Sequence, residues 1–368
     1  MTDATWERVQ RVLCVRLDTL GDVLMTTPAI RALKESYAHP HVTLLTSSAG
    51  AGIAALVPEI DDVMIYDAPW LKATPPRAHA GPDFTMIERV RDGRFDAAVI
   101  FTVYSQSPLP SAVFCYLAGI PLRLAHCHEN PYQLLNPWVS DPEPGMRVRH
   151  EVQRQLDLVA AVGCETSDEH LSLCVPVGTT ARVQRWLETA GVDASRPWLL
   201  VHPGATAPSR RYPPELFARA VQSLALEHEQ QIVFTGSSRE RPLVERIRDA
   251  MHAPSVSLAG ALSLPELAAV IACAPLLIAN NTGPVHMAAA LGTPVVDLYA
   301  LTNPQHTPWQ VRSRVLTHDV PCKYCYKSIC PHGHHDCLRG IPPEMVVQAA
   351  CALLHDATPE RAALEAAS

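Results

Sequence analysis

Four short stretches of this chain combine residue types that can do chemistry. The first, RLDTLGDVLMTTPAIRALK (16–34), carries two carboxylates, Asp18 and Asp22, around Gly21. An apolar run precedes it and an amphipathic one follows, so the turn lies between a strand and a helix. A carboxylate there can take a proton from a substrate hydroxyl. It can equally sit in a first helical turn because the helix dipole favours it, and the motif alone favours that plainer role. The second, HPGATAPSRRYPPELFA (202–218), puts Ser209, Arg210 and Arg211 in a loop before a helix opened by Pro213 and Pro214. Two guanidiniums in a Gly and Pro frame suit a phosphate as readily as they suit a solvated loop.

The third stretch, NNTGPVHMAAALGTPVV (280–296), runs from a strand through Thr282 and Gly283 into a helix of small residues. Backbone N–H groups at such a start form an anion site. His286, on the first turn, is by itself more often structural. Taken with the arginine loop, this start favours a phosphate site in the second half of the chain. The fourth stretch, CKYCYKSICPHGHHDC (322–337), holds Cys322, Cys325, Cys330 and Cys337 with His332, His334 and His335 between them. Four thiolates in a short loop suit tetrahedral zinc or iron. The spacing is not that of a standard zinc-ribbon pair, and unligated thiols are the alternative. A fifth stretch, AGAGIAAL (49–56), has the dinucleotide fingerprint only in its weakest form, after the second strand instead of the first, and reads as a loop and helix start.

The elements that must position these residues alternate. Strands are expected at 12–17, 42–46, 63–67 and 96–101, and then at 198–204, 231–236, 256–260, 276–280 and 295–299. Helices are expected at 21–37, 111–119 and from about 150, and then at 214–228, 240–251, 264–273 and 284–291. Pro28 is expected to kink or break the first helix. This alternation means βαβ units and parallel sheets. The Pro-rich segment 68–84 reads as a loop of the kind that lines a site, and 171–180 as a linker. Two α/β domains follow, 1–174 and 175–368, with a cleft expected between them.

The 368 residues, 48% of them hydrophobic and 18% charged, fit a soluble globular chain of two domains. A net charge of −7 argues against a nucleic-acid partner. The longest apolar run, 267–279, is too short to span a bilayer and is interrupted by Pro275. With no signal-peptide pattern at the start, the chain is expected to be cytoplasmic, with a peripheral membrane contact left open. The seven scattered cysteines read as small buried hydrophobes.

The four motifs VRLDTLGDVLMTTPAIRALK, HPGATAPSRRYPPELFA, FTGSSRERPLVERI and NNTGPVHMAAALGTPVVDLYALTNP, in this order, resemble glycosyltransferase family 9, the ADP-heptose heptosyltransferases. The resemblance covers 12 to about 355. It implies a GT-B fold: two Rossmann-like domains facing across a cleft, the first binding acceptor and the second a nucleotide-sugar. It implies a last helix, 343–355, that crosses back to the first domain. By position, the family's catalytic base falls on Asp22 and its donor-side basic residue on Arg210. The acidic residue after the FTG strand, a ribose contact, falls on Glu240, and the donor motif on Asn281, Thr282, Gly283 and His286. Asn281 stands where Asp is usual, keeping size and hydrogen bonding and losing charge.

The reaction so implied is a single displacement with inversion from an ADP-sugar to an acceptor hydroxyl, needing no catalytic metal. The acceptor is a lipopolysaccharide core sugar, another glycan or glycolipid, or a protein. Some relatives, a protein-heptosylating branch among them, carry a Cys-rich metal finger to which 322–337 is similar in kind. An epimerase on the same fold is the rival enzyme class. Arg123, Arg147 and Arg149 could meet an anionic acceptor or form a solvated face. A homo-oligomer is left open.

Overall fold

Alternating apolar and amphipathic segments build one parallel sheet in each of two units, residues 1–174 and 175–368. The computed structural model describes residues 5–36, 39–193 and 195–365, with side chains through 355. The first unit holds strands β1 (Arg11–Arg16), β2 (His41–Thr46), β3 (Asp62–Ile65), β4 (Ala97–Ile100), β5 (Leu122–Cys127) and β6 (Trp138–Ser140). Its helices are α1 (Leu20–Glu35), α2 (Ser48–Ala54), α3 (Gly81–Asp92), α4 (Leu109–Leu117) and α5 (Glu151–Ala160). The sheet order is β3-β2-β1-β4-β5-β6, every strand parallel to its neighbours. Val12 to Val15 of β1 are all buried, as expected of a parallel strand covered on both faces.

Helix α1 does not break at Pro28 and runs to Glu35. Proline removes the N–H that would bond the Leu24 carbonyl, but the Thr27 hydroxyl donates to that carbonyl at 2.7 Å. Strands β5 and β6 and helix α3 were not expected from pattern. In β5, Arg123 and His126 interrupt the apolar run, yet both are buried. The Arg123 guanidinium donates to the carbonyls of Ile120, Pro121, Gln133 and Leu134.

The second unit holds α6 (Thr179–Thr189), β7 (Trp198–His202), α7 (Pro214–Leu226), β8 (Gln231–Phe234), α8 (Arg241–Met251), β9 (Ser255–Ser257) and α9 (Leu264–Cys273). It continues with β10 (Leu277–Asn280), α10 (Gly283–Leu291), β11 (Val295–Leu298), β12 (Ser313–Leu316), α11 (Asp336–Arg339) and α12 (Pro343–Glu365). The order is β12-β11-β10-β7-β8-β9, again parallel throughout. Both sheets therefore reverse their strand order once, at β1/β4 and at β7/β10, and ligands of open α/β sheets bind at the carboxyl ends beside such a reversal. Val346, Ala350 and Leu353 of α12 are buried in the second unit's own core with Phe217 and Val221 of α7. Among the described residues no helix is long and apolar enough to cross a membrane.

Buried charge is concentrated behind β5 and β6. Arg154 of α5 is 1% exposed, with Nη2 at 2.5 Å from Asp141 and Nε at 2.9 Å from Glu143. Removing one partner of such a group leaves uncompensated charge in the interior. Arg154→Ala is expected to lower the unfolding free energy by about 3–5 kcal/mol, read from urea midpoints at constant slope. A loss below about 1 kcal/mol would contradict the assignment.

Candidate active site

At the first reversal, β1 ends on Arg16, whose side chain is fully buried. Its guanidinium meets three carboxylates: Glu151 at 2.9 Å, Asp18 at 3.3 Å and Asp22 at 3.3 Å. Burial opposes the charge on Arg16, but the three acids outweigh it and push its pKa up. Asp22 also caps α1. Its Oδ2 accepts from the Thr19 N–H at 2.9 Å and from the Thr19 hydroxyl at 2.7 Å, completing a capping box. Oδ2 is tied to the cap, while Oδ1 sits at 3.3 Å from Arg16.

Asp18 gains a part the sequence does not show. It accepts from Gln106 Nε2 at 2.8 Å, a bond that bridges the segments following β1 and β4 across the reversal. Burial, resisted by Arg16 and reinforced by Asp22, raises its carboxyl pKa. Two cavities at this end of the sheet share Leu17, Asp18, Trp70, Leu71 and Gln106 as walls. The second also takes Lys72, Thr74 and Pro75, so the Pro-rich segment does line a cavity. Arg123, Arg147 and Arg149 do not join them. Arg123 is spent on carbonyls, and Arg147 and Arg149 meet Asp157 at 3.2 and 2.7 Å.

At the second reversal, Asn280 ends β10 and fixes both ends of the arginine loop. Its Oδ1 accepts from the Tyr212 N–H at 2.9 Å and its Nδ2 donates to the Pro203 carbonyl at 2.7 Å. Between them the chain makes a short 3-10 turn, Pro208–Arg210. Ser209 is buried in it and Arg210 half-buried. Arg211 instead donates to the Ala205 carbonyl at 2.7 Å.

Glu240 lies against the turn after β7. A Cβ on Gly204 would stand 2.0 Å from its Oε1, so only glycine admits the carboxylate there. Burial would raise the Glu240 pKa, but the Ser237 N–H and hydroxyl, both at 2.8 Å, with His202 and Arg211, hold it low. Burial keeps His202 below the usual imidazole range, with Nδ1 at 3.1 Å from the Thr235 hydroxyl.

Helix α10 starts at Gly283 with Thr282 as an extended N-cap that makes no side-chain cap. The Thr282 hydroxyl turns back to the Asn280 carbonyl at 3.3 Å. His286 is 4% exposed, packed within the helix–sheet layer. Asn281 donates from Nδ2 to Asp297 Oδ2 at 2.9 Å and to the His306 carbonyl at 2.8 Å. Asp297, on β11, is fully buried and was not singled out from sequence. Its Oδ1 has no hydrogen-bond partner among the described residues. Burial pushes its carboxyl up to about 8, against the pull of Asn281 and Arg210. The structure thus brings Arg210, Asn281 and the Thr282–Gly283 helix start together around Asp297, with Glu240 beside the turn after β7.

The thiol loop lies in the same unit. Cys330 is held low by the backbone N–H groups of His335, His332, Gly333 and His334, against a burial effect of opposite sign. Burial raises Cys337, and the other three thiols add to that rise. Cys322 Sγ lies 3.7 Å from His334 Nε2. Among the described residues, however, no three His, Cys, Asp or Glu side chains converge as metal ligands, so the ligand set expected from spacing is not formed as placed.

With the geometry set out, comparison with known proteins adds lineage. The sequence model of Glycosyltransferase family 9 (heptosyltransferase) matches residues 84–335. Lipopolysaccharide heptosyltransferase 2 of Escherichia coli (strain K12) is 24% identical over 362 residues, covering 94% of this chain and 98% of that protein. The crystal structure of the glycosyl transferase family 9 from Veillonella parvula DSM 2008 superposes with a TM-score of 0.76 at 21% identity, covering 96% and 100% of the two chains. The E. coli ADP-heptose lps heptosyltransferase II superposes with a TM-score of 0.72 at 22% identity, covering 94% and 99%.

Gly204 gives the sharpest local test. Gly204→Ala forces the Glu240 carboxylate to move, and affinity for a nucleoside diphosphate, measured by calorimetry, is expected to fall by about tenfold or more. Unchanged affinity would remove Glu240 from the site.

Proposed function

The chain belongs to glycosyltransferase family 9, a family of GT-B enzymes, and on that premise we propose that it moves a heptose from an ADP-sugar to an acceptor hydroxyl with inversion. One observation carries the reading. The strand-order reversal of the first sheet holds a helix-start carboxylate, and that of the second holds Arg210 beside an uncapped helix start. Its relatives include a lipopolysaccharide heptosyltransferase and an ADP-heptose lps heptosyltransferase, which supports heptose, ADP-heptose and a lipopolysaccharide acceptor for this chain.

Asp22 is the carboxylate that takes the proton of the attacking hydroxyl; its Oδ2 accepts from Thr19 and its Oδ1 from Arg16 at 3.3 Å. As the bond to the sugar's anomeric carbon breaks, charge gathers on the diphosphate. Arg210 and the backbone N–H groups at the start of α10 are the fixed donors for it, each typically worth about 2.7–4 kcal/mol in such sites. They fill the place a divalent cation has in other nucleotide-sugar enzymes, and no step is routed through the thiol loop. Glu240 takes the ribose, and Asn281 offers the sugar a hydrogen bond without the charge of the usual Asp.

Asp22→Asn is expected to lower kcat by about 10²–10⁴ while the donor dissociation constant holds. Thr19→Ala, which weakens the cap and spares the carboxylate, is expected to cost far less. Normal turnover by Asp22→Asn would overturn the assignment.

The thiol loop supports a second, narrower reading: a structural zinc or iron held by Cys322, Cys325, Cys330 and Cys337, as in a protein O-heptosyltransferase with a metal finger. The backbone N–H groups gathered on Cys330 favour a thiolate there. Elemental analysis is expected to find about one metal per chain, lost in Cys330→Ser, as for closed four-thiolate sites. A chain with four titratable thiols and no metal would refute it.

A further inference from the structure

The thiol loop touches the donor site at two places, through the backbone of residues between its cysteines. Ser209, the buried residue beside Arg210, donates its hydroxyl to the Lys327 carbonyl at 2.7 Å and its N–H to the Ser328 carbonyl at 3.1 Å. Both carbonyls lie between Cys325 and Cys330. On the other side, the Tyr324 N–H bonds the Leu301 carbonyl at 2.6 Å and the Tyr326 N–H bonds the Thr302 carbonyl at 2.8 Å. The segment entered at Leu301 leads to His306, whose carbonyl holds Asn281. Within it, Asn303 Oδ1 accepts from the Gln305 N–H at 2.7 Å, and the Tyr299 hydroxyl bonds the Asn303 carbonyl and accepts from the His306 N–H.

These bonds hold a backbone that would not otherwise stay in place. Tyr324 and Tyr326 have φ of 61° and 53°, a left-handed conformation that costs a bulky side chain energy and persists only where its surroundings fix it. The loop is anchored from beneath by Cys337, which packs against the second unit's core. The Pro208–Arg210 turn, by contrast, is a single 3-10 turn with little intrinsic stability.

We propose that the loop 322–337 is a positioning device for the donor site. It holds the Ser209–Arg210 turn through the Lys327 and Ser328 carbonyls, and the 301–306 segment under Asn281 through Tyr324 and Tyr326. Arg210 and Asn281 then keep a fixed mutual position whether or not donor is bound. Ser209 is a positioning residue in this scheme, since it acts on the diphosphate through Arg210. The inference rests on the donor reading above and adds to it the part that the cysteines play.

The test is calorimetric titration of the full chain with ADP, with initial rates against donor and acceptor. Ser209→Ala is expected to weaken ADP binding about tenfold, with a melting temperature within a few degrees of the unsubstituted chain, and Ser209→Thr to restore it. The double variant Cys325→Ser/Cys330→Ser is expected to raise the donor KM by a similar factor and to lower kcat with it, leaving the acceptor KM within about threefold. Ser209→Ala binding ADP like the unsubstituted chain overturns the proposal. So does a double variant in which donor and acceptor constants move together with a falling melting temperature. An unsubstituted chain that binds no ADP overturns the donor reading itself; one that binds ADP but loses nothing on Ser209→Ala overturns the positioning role alone.

Discussion

A parallel sheet that reverses its strand order can offer a ligand only one place. Helices cover both faces, and the loops after two adjacent central strands part at the reversal. In this chain the constraint operates twice, after β1 and β4 and after β7 and β10. Polar side chains bridge each reversal: Asp18 with Gln106 in the first unit, and Asn280 with Pro203 and Tyr212 in the second. Sites built there inherit rigidity from the sheets below, which suits a reaction in which position matters more than covalent chemistry.

The two sites are electrostatic opposites. In the first unit one guanidinium faces three carboxylates, so the group around Asp22 has an excess of negative charge. Arg16 is what makes that concentration tolerable in a buried place, and Glu151 at 2.9 Å is its nearest partner. Asp22 meets it at the longer 3.3 Å. Asp18, with a raised pKa, is a wall of both cavities at this end of the sheet, a place that composition and spacing gave no reason to assign it.

Much of this was legible in the sequence, and the limits have physical causes. The alternation located the central strands to within a residue or two, because strands buried on both faces read as apolar runs. Elements with interrupted patterns escaped notice: β5 carries Arg123 and His126, β12 exposes Arg314 and Val315, and α3 follows a Pro-rich loop. Arg210 and Thr282 were visible in their motifs, and Asn281 only through the family resemblance. What spacing could not show is which groups meet across the fold. Asp297 lies sixteen residues from Asn281, and Glu151 lies 135 residues from Arg16. Pro28 misled for the same reason, since its effect depended on a neighbouring hydroxyl finding the orphaned carbonyl.

In the reaction proposed above, Asp297 sets how much of Arg210's charge a leaving group could use. An ionised carboxylate near Arg210 would satisfy it within the protein and compete with a diphosphate. Full burial raises the Asp297 pKa to about 8, so near neutral pH the carboxyl is largely protonated and takes little of that charge. The amide at 281 contributes in the same direction. An Asp there would set two acids 2.9 Å apart with one cation nearby, whereas Asn281 donates to Asp297 and adds no charge. An amide at 281 in place of an acid is therefore coherent with its surroundings: beside a buried acid it keeps the hydrogen bond and, in the reaction proposed above, leaves the positive end of α10 and the Arg210 guanidinium for the diphosphate.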